Sequence, residues 1–445
     1  MRKACRSIII LALFLVSYAQ GVSAQPLDVP SDCSYILMDL KTGQVIAEQD
    51  ADKKVRPAST TKIMTAILAL ENGKLDQVMN ISKAAVYDIG DGGSNIGINP
   101  GETNLTLENL LNAMLIKSAN ETANIVAENI SETRGEFIDL MNKRAAELGA
   151  VNTHFVNPCG KDDAKEDAEH LSTARDMANI ARFAMNMPKF REIVNKEYYK
   201  ELPSTNDHPA WDPLHTTNKL LWPKNSYPYE LEGEEYTYTV NGIKTGYTSG
   251  AKNNLIVSAV NEEGMELIAA IMHASGSSIV FSSAKKLLRY GFEHYGLQKI
   301  TEANRIVKNV AVENAKKNGR LDLVTASDLN CALPLDESQW NISVKEYVNE
   351  GIKAPVNAGD VLGNVEYSRN GLVLGKVDLV ALKSLEANQK EIVVEQAKKS
   401  TTSSSPVLKI ILSILAVSVF LILLRFVLRK ISKRVRRKKY PVFRR

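Results

Sequence analysis

Two residues able to do nucleophilic chemistry stand three apart in RPASTTKIMTAILAL, residues 56–70. A serine hydroxyl is a weak nucleophile until a base takes its proton. Residues i and i+3 share a helix face, so Lys62 falls beside Ser59. A lysine buried at the start of an apolar helix has its pKa lowered toward the range where the neutral amine acts as a base. The first turn also supplies backbone N–H groups for a developing oxyanion. Two other polar islands carry chemistry-bearing side chains. Lys117-Ser118-Ala119-Asn120 interrupts an apolar helical stretch and offers a hydroxyl and an amide. Lys244-Thr245-Gly246, followed by Tyr247, ends a β-patterned run and offers a charge, a hydroxyl and a residue that lets a ligand backbone approach closely. Each island alone has an ordinary reading. Ser-x-x-Lys also describes a capped helix start with a snorkelling lysine, Ser-x-Asn also describes a cap for the next helix, and Lys41-Thr42-Gly43 shows how cheaply Lys-Thr-Gly appears at a hairpin turn.

The surrounding pattern predicts the elements that hold these islands. Residues 34–50 read as a β-hairpin around Lys41-Thr42-Gly43, and a helix from Ser59 ends at Gly73. Residues 106–130 read as two helical runs broken at Lys117–Asn120, followed by helices at 133–149 and 173–187. A Pro- and aromatic-rich irregular stretch spans 203–235. From 236 the pattern turns to β, with a turn at Asn261–Gly264 joining two apolar strands and a helix at 277–293. A hairpin near the N-terminus and strands near residue 270, flanking a helical middle, predict an antiparallel sheet flanked by helices, an α/β (α+β) fold. Residues 298–393 differ: short alternating runs with Gly and Asn-Gly turns predict a separate small all-β domain.

The ends of the chain predict export and anchoring. Residues 1–24 have a basic start, an apolar stretch and a Val22-Ser23-Ala24 cleavage site, as in a signal peptide. Residues 394–405 read as a polar linker. Residues 406–428 are apolar all round apart from Lys409 and Arg425 near the ends, which suits one transmembrane helix better than an interfacial one. The tail 429–445 is basic and holds no acid, so the positive-inside rule places it in the cytoplasm. Of the 55 Lys and Arg, 15 lie in the leader and from Lys409 onward, which leaves 40 against 51 acids between them, a net charge of about −11. That balance argues against a nucleic-acid partner. The mature part has Cys33, Cys159 and Cys331 without CxxC spacing, so at most one disulfide forms. The six histidines show no metal-ligand spacing; no metal and no cofactor is expected.

Order makes the islands specific. Ser-x-x-Lys, Ser-x-Asn and Lys-Thr-Gly, on helix, loop and strand in that sequence, form the motif set of serine β-lactamases and penicillin-binding proteins. DGGSNIGINPGE, HFVNPCG at 154–160, HLSTARDMANIARFAM at 170–185 and GIKTGYTSGAKNNLIVSAV at 242–260 tighten the match. The chain resembles the low-molecular-mass penicillin-binding D-alanyl-D-alanine carboxypeptidases over about residues 30–395. The resemblance implies a β-lactamase/transpeptidase-like catalytic domain at 25–297, with the all-β domain and the membrane helix following. It implies that Ser59 attacks the carbonyl between the terminal D-alanines of a peptidoglycan stem peptide, that Lys62 takes the serine proton, and that Ser118 passes it to the leaving amine. It further implies that Asn120 orients substrate, Lys244, Thr245 and Gly246 receive the terminal carboxylate, and the backbone N–H groups of Ser59 and Tyr247 form the oxyanion hole. β-Lactam antibiotics would be covalent inhibitors.

Departures from the family pattern are Glu121, where Asp is usual, Cys159, where an Asn-Pro-His-Gly loop carries histidine, and a longer stretch at 195–235. Cys159 reads as a packed cysteine, and GDGGSNIG, which lacks the Lys-Ser/Thr ending of a phosphate loop, reads as a loop bordering the site. The rivals are a D,D-endopeptidase of the same superfamily, a β-lactamase, and a silent wall-binding protein. No Glu-x-x-Leu-Asn-like segment lies between the second and third motifs, which argues against the β-lactamase, and the intact motifs argue against the silent binder.

Overall fold

A computed structural model describes residues 27–90, 93–162, 168–222, 237–316, 319–388 and 406–439. The leader and the linker therefore lie outside the described residues, and the tail is described only through Lys439. The chain divides into two compact units. The first runs through Ile300 and takes in Asn330–Ser343 and Tyr367–Gly375; the second comprises Thr301–Leu329, Val344–Glu366 and the chain from Lys376 on.

In the first unit, β1 (Ser34–Asp39) and β2 (Val45–Gln49) form the expected hairpin. The helices follow: α1 (Lys62–Asn72), the short α2 (Lys83–Tyr87), α3 (Leu107–Asn112), α4 (Asn120–Ile130), α5 (Arg134–Glu147), α6 (Ala174–Met185) and α7 (Pro188–Val194). Two-residue strands β3 (Tyr198–Tyr199), just before the irregular stretch, and β4 (Leu214–His215), within it, pair with each other. Three long strands, β5 (Tyr238–Thr248), β6 (Lys252–Asn261) and β7 (Glu266–Ala274), precede α8 (Ser277–His294). The sheet order is β2-β1-β7-β6-β5, antiparallel throughout.

Side chains alternate across a strand, and here both faces are covered. Ile36, Met38, Ile256, Ile268 and Met272 face the core shared with α1 and α3–α7. Tyr35, Leu37, Leu255, Val257, Leu267 and Ile271 face α8, where Phe281, Leu287 and Leu288 close a second core. Burial on both faces explains why β1, β6 and β7 read as continuous apolar runs. Ile63, Met64, Ile67 and Leu68 of α1 are buried. Each contributes about 1.5–3 kcal/mol of burial, which fixes the first turn of that helix against the sheet. The sequence predicts an α-helix from Ser59; instead a 3₁₀ turn, Ala58–Thr61, precedes α1.

The remaining strands are β8 (Tyr295–Thr301), β9 (Ile306–Ala311), β10 (Arg320–Thr325), β11 (Leu329–Pro334), β12 (Ile342–Val348), β13 (Val361–Arg369) and β14 (Leu372–Ala381). β8 pairs with β11, and the others form a second five-stranded sheet, β12-β13-β14-β10-β9, the all-β part expected from residue 298. The helix α9 (Pro406–Lys439) runs past the expected end at 428, and within it Ile410–Ser432 is long and apolar enough to cross a membrane.

Candidate active site

Ser59 sits half-buried in the 3₁₀ turn, behind Ala58 at φ +48. A non-glycine residue in that left-handed region costs of order 1–3 kcal/mol and persists only when its surroundings impose it. Asn254, buried in β6, donates from Nδ2 to the carbonyls of Arg56 (2.9 Å) and Pro57 (3.0 Å) and accepts the His273 N–H at 2.7 Å. On the other side, Thr65 Oγ1 donates to the Pro158 carbonyl at 2.6 Å. His170 is fully buried, and burial pushes its pKa down to about 3, so the ring is neutral. Its Nδ1 accepts the Val156 N–H at 3.1 Å. The ring proton is therefore on Nε2 and donates to Thr61 Oγ1, 2.8 Å away.

Lys62 is fully buried one turn further on. Its Nζ lies 2.9 Å from Ser59 Oγ, 2.7 Å from Asn120 Oδ1 and 2.7 Å from the Cys159 carbonyl. Burial pushes its pKa down from 10.5 to about 8; Cys159 and Glu121 act in the opposite direction.

The second island is shaped by the backbone. A π-type turn, Ala113–Lys117, ends at Ser118 in the left-handed region (φ +66), and Asn120 then opens α4. The loop before α3 secures this turn: Ser94 Oγ donates to the Lys117 carbonyl at 2.6 Å, and the Asn120 N–H donates to the Ser94 carbonyl at 2.9 Å. Gly93 completes the contact, since a Cβ there would lie 2.7 Å from Asn120 Nδ2.

The third island is on β5, the edge strand beside the nucleophile turn. A Cβ at Gly246 would lie 2.9 Å from the Pro57 carbonyl and 3.1 Å from the Ser59 nitrogen, so only glycine lets the strand approach this closely. Thr245 Oγ1 shares a 2.5 Å hydrogen bond with Thr217 Oγ1. Lys244 is buried and donates to the Thr245 carbonyl at 2.9 Å; burial first, and the charge of Lys62 second, hold its pKa well below the ordinary lysine value.

One cavity of about 540 Å³ brings together Ser59, Ser118, Asn120, Thr245, Gly246 and Tyr247. The two lysines do not line it: Lys62 and Lys244 lie buried. Gly93, Ser94, Thr217 and Lys219 also line the cavity, so the loop at 93–97 and the irregular stretch both border the site. Cys33, Cys159 and Cys331 are buried free thiols.

Sequence reasoning missed Asn254, Gly160, His170 and Thr217. Asn254 had a usable signal, a polar residue heading the apolar run Leu255–Val257. Gly160 shows how tightly the loop after Phe155 is fitted. At φ +83, a Cβ there would lie 1.9 Å from the Ala58 carbonyl oxygen. Gly160→Ala is therefore expected to displace the Cys159 carbonyl from Lys62, slowing reaction at Ser59 by at least about tenfold and lowering the melting temperature. Labelling kinetics and a thermal melt check both.

Comparison with known proteins gives two family matches. The D-alanyl-D-alanine carboxypeptidase family matches residues 20–276, and the penicillin-binding protein 5 C-terminal domain matches residues 295–387. The chain is 30% identical over 359 residues to D-alanyl-D-alanine carboxypeptidase DacF of Bacillus subtilis, covering 79% of this chain and 85% of that protein. It is 28% identical over 386 residues to DacC of Escherichia coli, covering 84% and 90%. Among solved structures, penicillin binding protein 5 from Haemophilus influenzae superposes with a TM-score of 0.62 at 25% identity, covering 82% of this chain and 99% of that one. A peptidoglycan synthesis regulatory factor (PBP3) from Streptococcus pneumoniae gives 0.64 at 26% identity, covering 79% and 98%.

Proposed function

The chain belongs to the D-alanyl-D-alanine carboxypeptidase family, and on that premise we propose that it removes the terminal D-alanine from peptidoglycan stem peptides through an acyl-enzyme on Ser59. The observation that carries the residue roles is the trio of partners around Lys62. A neutral amine has two N–H donors and one lone pair. Asn120 Oδ1 and the Cys159 carbonyl only accept, so they take the two donors. The lone pair is left to face the Ser59 hydroxyl, 2.9 Å away. As Ser59 Oγ bonds to the scissile carbonyl carbon, its proton passes to Lys62 Nζ. The backbone N–H groups of Ser59 and Tyr247 receive the oxyanion. Ser118 relays that proton from Lys62 to the departing amine as the C–N bond breaks, and water then cleaves the Ser59 ester, its hydroxyl going to the acyl carbon and its proton restoring the Ser59 hydroxyl.

Substrate is held by the other islands. The Thr245 hydroxyl binds the terminal carboxylate beside Gly246, with Lys244 behind it. Asn120, whose Oδ1 is taken by Lys62, orients the substrate amide through Nδ2. A β-lactam acylates the same serine. None of these roles requires a cofactor. We assign residues 25–297 to the catalytic domain and 298–393 to the all-β domain. We further propose that the candidate span Ile410–Ser432 crosses the membrane once, with the catalytic domain outside and the basic tail in the cytoplasm.

The test is D-alanine release from a diacyl-Lys-D-Ala-D-Ala peptide by the full chain in detergent, beside a cross-linked dimer of the same stem. Release from the first substrate is expected. A folded protein that releases no D-alanine but cuts the cross-link is an endopeptidase, and one that does neither is not a hydrolase of this class.

A further inference from the structure

Glu121 follows Asn120 in the first turn of α4 and is buried. Its Oε1 accepts the Ile96 N–H at 2.6 Å, while Oε2, also buried, makes no hydrogen bond among the described residues. The loop it grips includes Ser94, which holds the Ser118–Asn120 turn, and Ser94 lines the cavity. A buried carboxylate oxygen without a partner costs free energy unless a charge compensates for it. The charge at hand is Lys62, which is itself bound to the neighbouring Asn120.

We infer that Glu121 is a positioning residue for the reaction: it ties the loop at Ile96 to α4 and supplies a buried counter-charge for the ammonium that Lys62 becomes on taking the Ser59 proton. The inference rests on Lys62 being the base. In that step the Ser59 O–H bond breaks, Oγ bonds to the carbonyl carbon, and the proton turns a neutral amine into a cation within the protein. Cys159, and Glu121 on α4, favour that charge. Of the other titratable neighbours, His170 is neutral, and burial first and Lys62 second hold Lys244 on β5 below its ordinary value. Burial raises the pKa of Glu121, and the Ile96 N–H that it accepts and the charge of Lys62 act against that rise. The extra methylene relative to the family's usual Asp extends the reach of the carboxylate toward Ile96.

The experiment is the rate of Ser59 acylation by a fluorescent penicillin between pH 5 and 10, with the full chain in detergent, for wild type, Glu121→Gln and Glu121→Asp. Glutamine retains an oxygen for the Ile96 N–H and removes the charge. Its acid limb is expected to move to lower pH by roughly one unit, and its alkaline plateau to fall severalfold. Aspartate retains the charge and loosens the tie, so its rate falls with the limb at the wild-type position. A Glu121→Gln limb that coincides with wild type, or one displaced equally in Glu121→Asp, overturns the inference while leaving Lys62 as base. Wild type that is never acylated removes the base reading and this inference with it.

Discussion

Ser59→Ala is expected to lower D-alanine release by at least about 10³-fold and to abolish covalent labelling by penicillin, with the melting curve little changed. The size of the effect follows from the chemistry. Without the hydroxyl no acyl-enzyme forms, and the other partners of Lys62, the Asn120 amide oxygen and the Cys159 carbonyl, are not nucleophiles that could replace it. The small effect on folding follows from the setting. The turn is held through the Arg56 and Pro57 carbonyls and through Thr61 and Thr65, none of which uses the Ser59 side chain. Release rates from the D-Ala-D-Ala peptide, set beside a thermal melt of the same samples, separate lost chemistry from lost structure.

The second large effect belongs to Lys62. With a pKa pushed down to about 8, the neutral amine is the minor form at pH 7 and becomes the major form above pH 8. Since only the neutral form can take the Ser59 proton, kcat/KM is expected to rise tenfold per pH unit on the acid side and to level off above about pH 8. Lys62→Met, similar in length and without a basic nitrogen to take the serine proton, is expected to lose about 10²- to 10⁴-fold and to lose the acid limb itself. An ordinary surface lysine would titrate near 10.4, so a limb near 8 marks the buried amine. A Lys62→Met protein that keeps the wild-type limb would assign that limb to another group and remove Lys62 as the base.

The parts of this molecule that were legible in the sequence are those specified locally. The hairpin at 34–50, the strands on either side of Asn261–Gly264 and the helix from Ser277 all follow from alternation, turn residues and helical spacing. The break at Lys117–Asn120 was also legible, and it takes the form of a π-type turn closed by a left-handed Ser118. What the sequence hid is what distant segments do to one another. Asn254 bonds to a carbonyl 198 residues away, and His170 to a hydroxyl 109 residues away. Gly160 matters only because Ala58 faces it. The family resemblance implies Lys244 among the groups receiving substrate; the fold buries it, with its amine on the Thr245 carbonyl. Whether a lysine at the end of a strand faces solvent or core depends on which neighbours pack against that strand, and no short motif contains that information.

The most direct measurement is to label the full chain with penicillin, digest it, and locate the added mass. One equivalent of acyl group on the peptide containing Ser59, lost in Ser59→Ala, is the result expected of a serine acyl-enzyme built on Lys62. An acyl group on any other residue, or a folded protein that takes none, would contradict it.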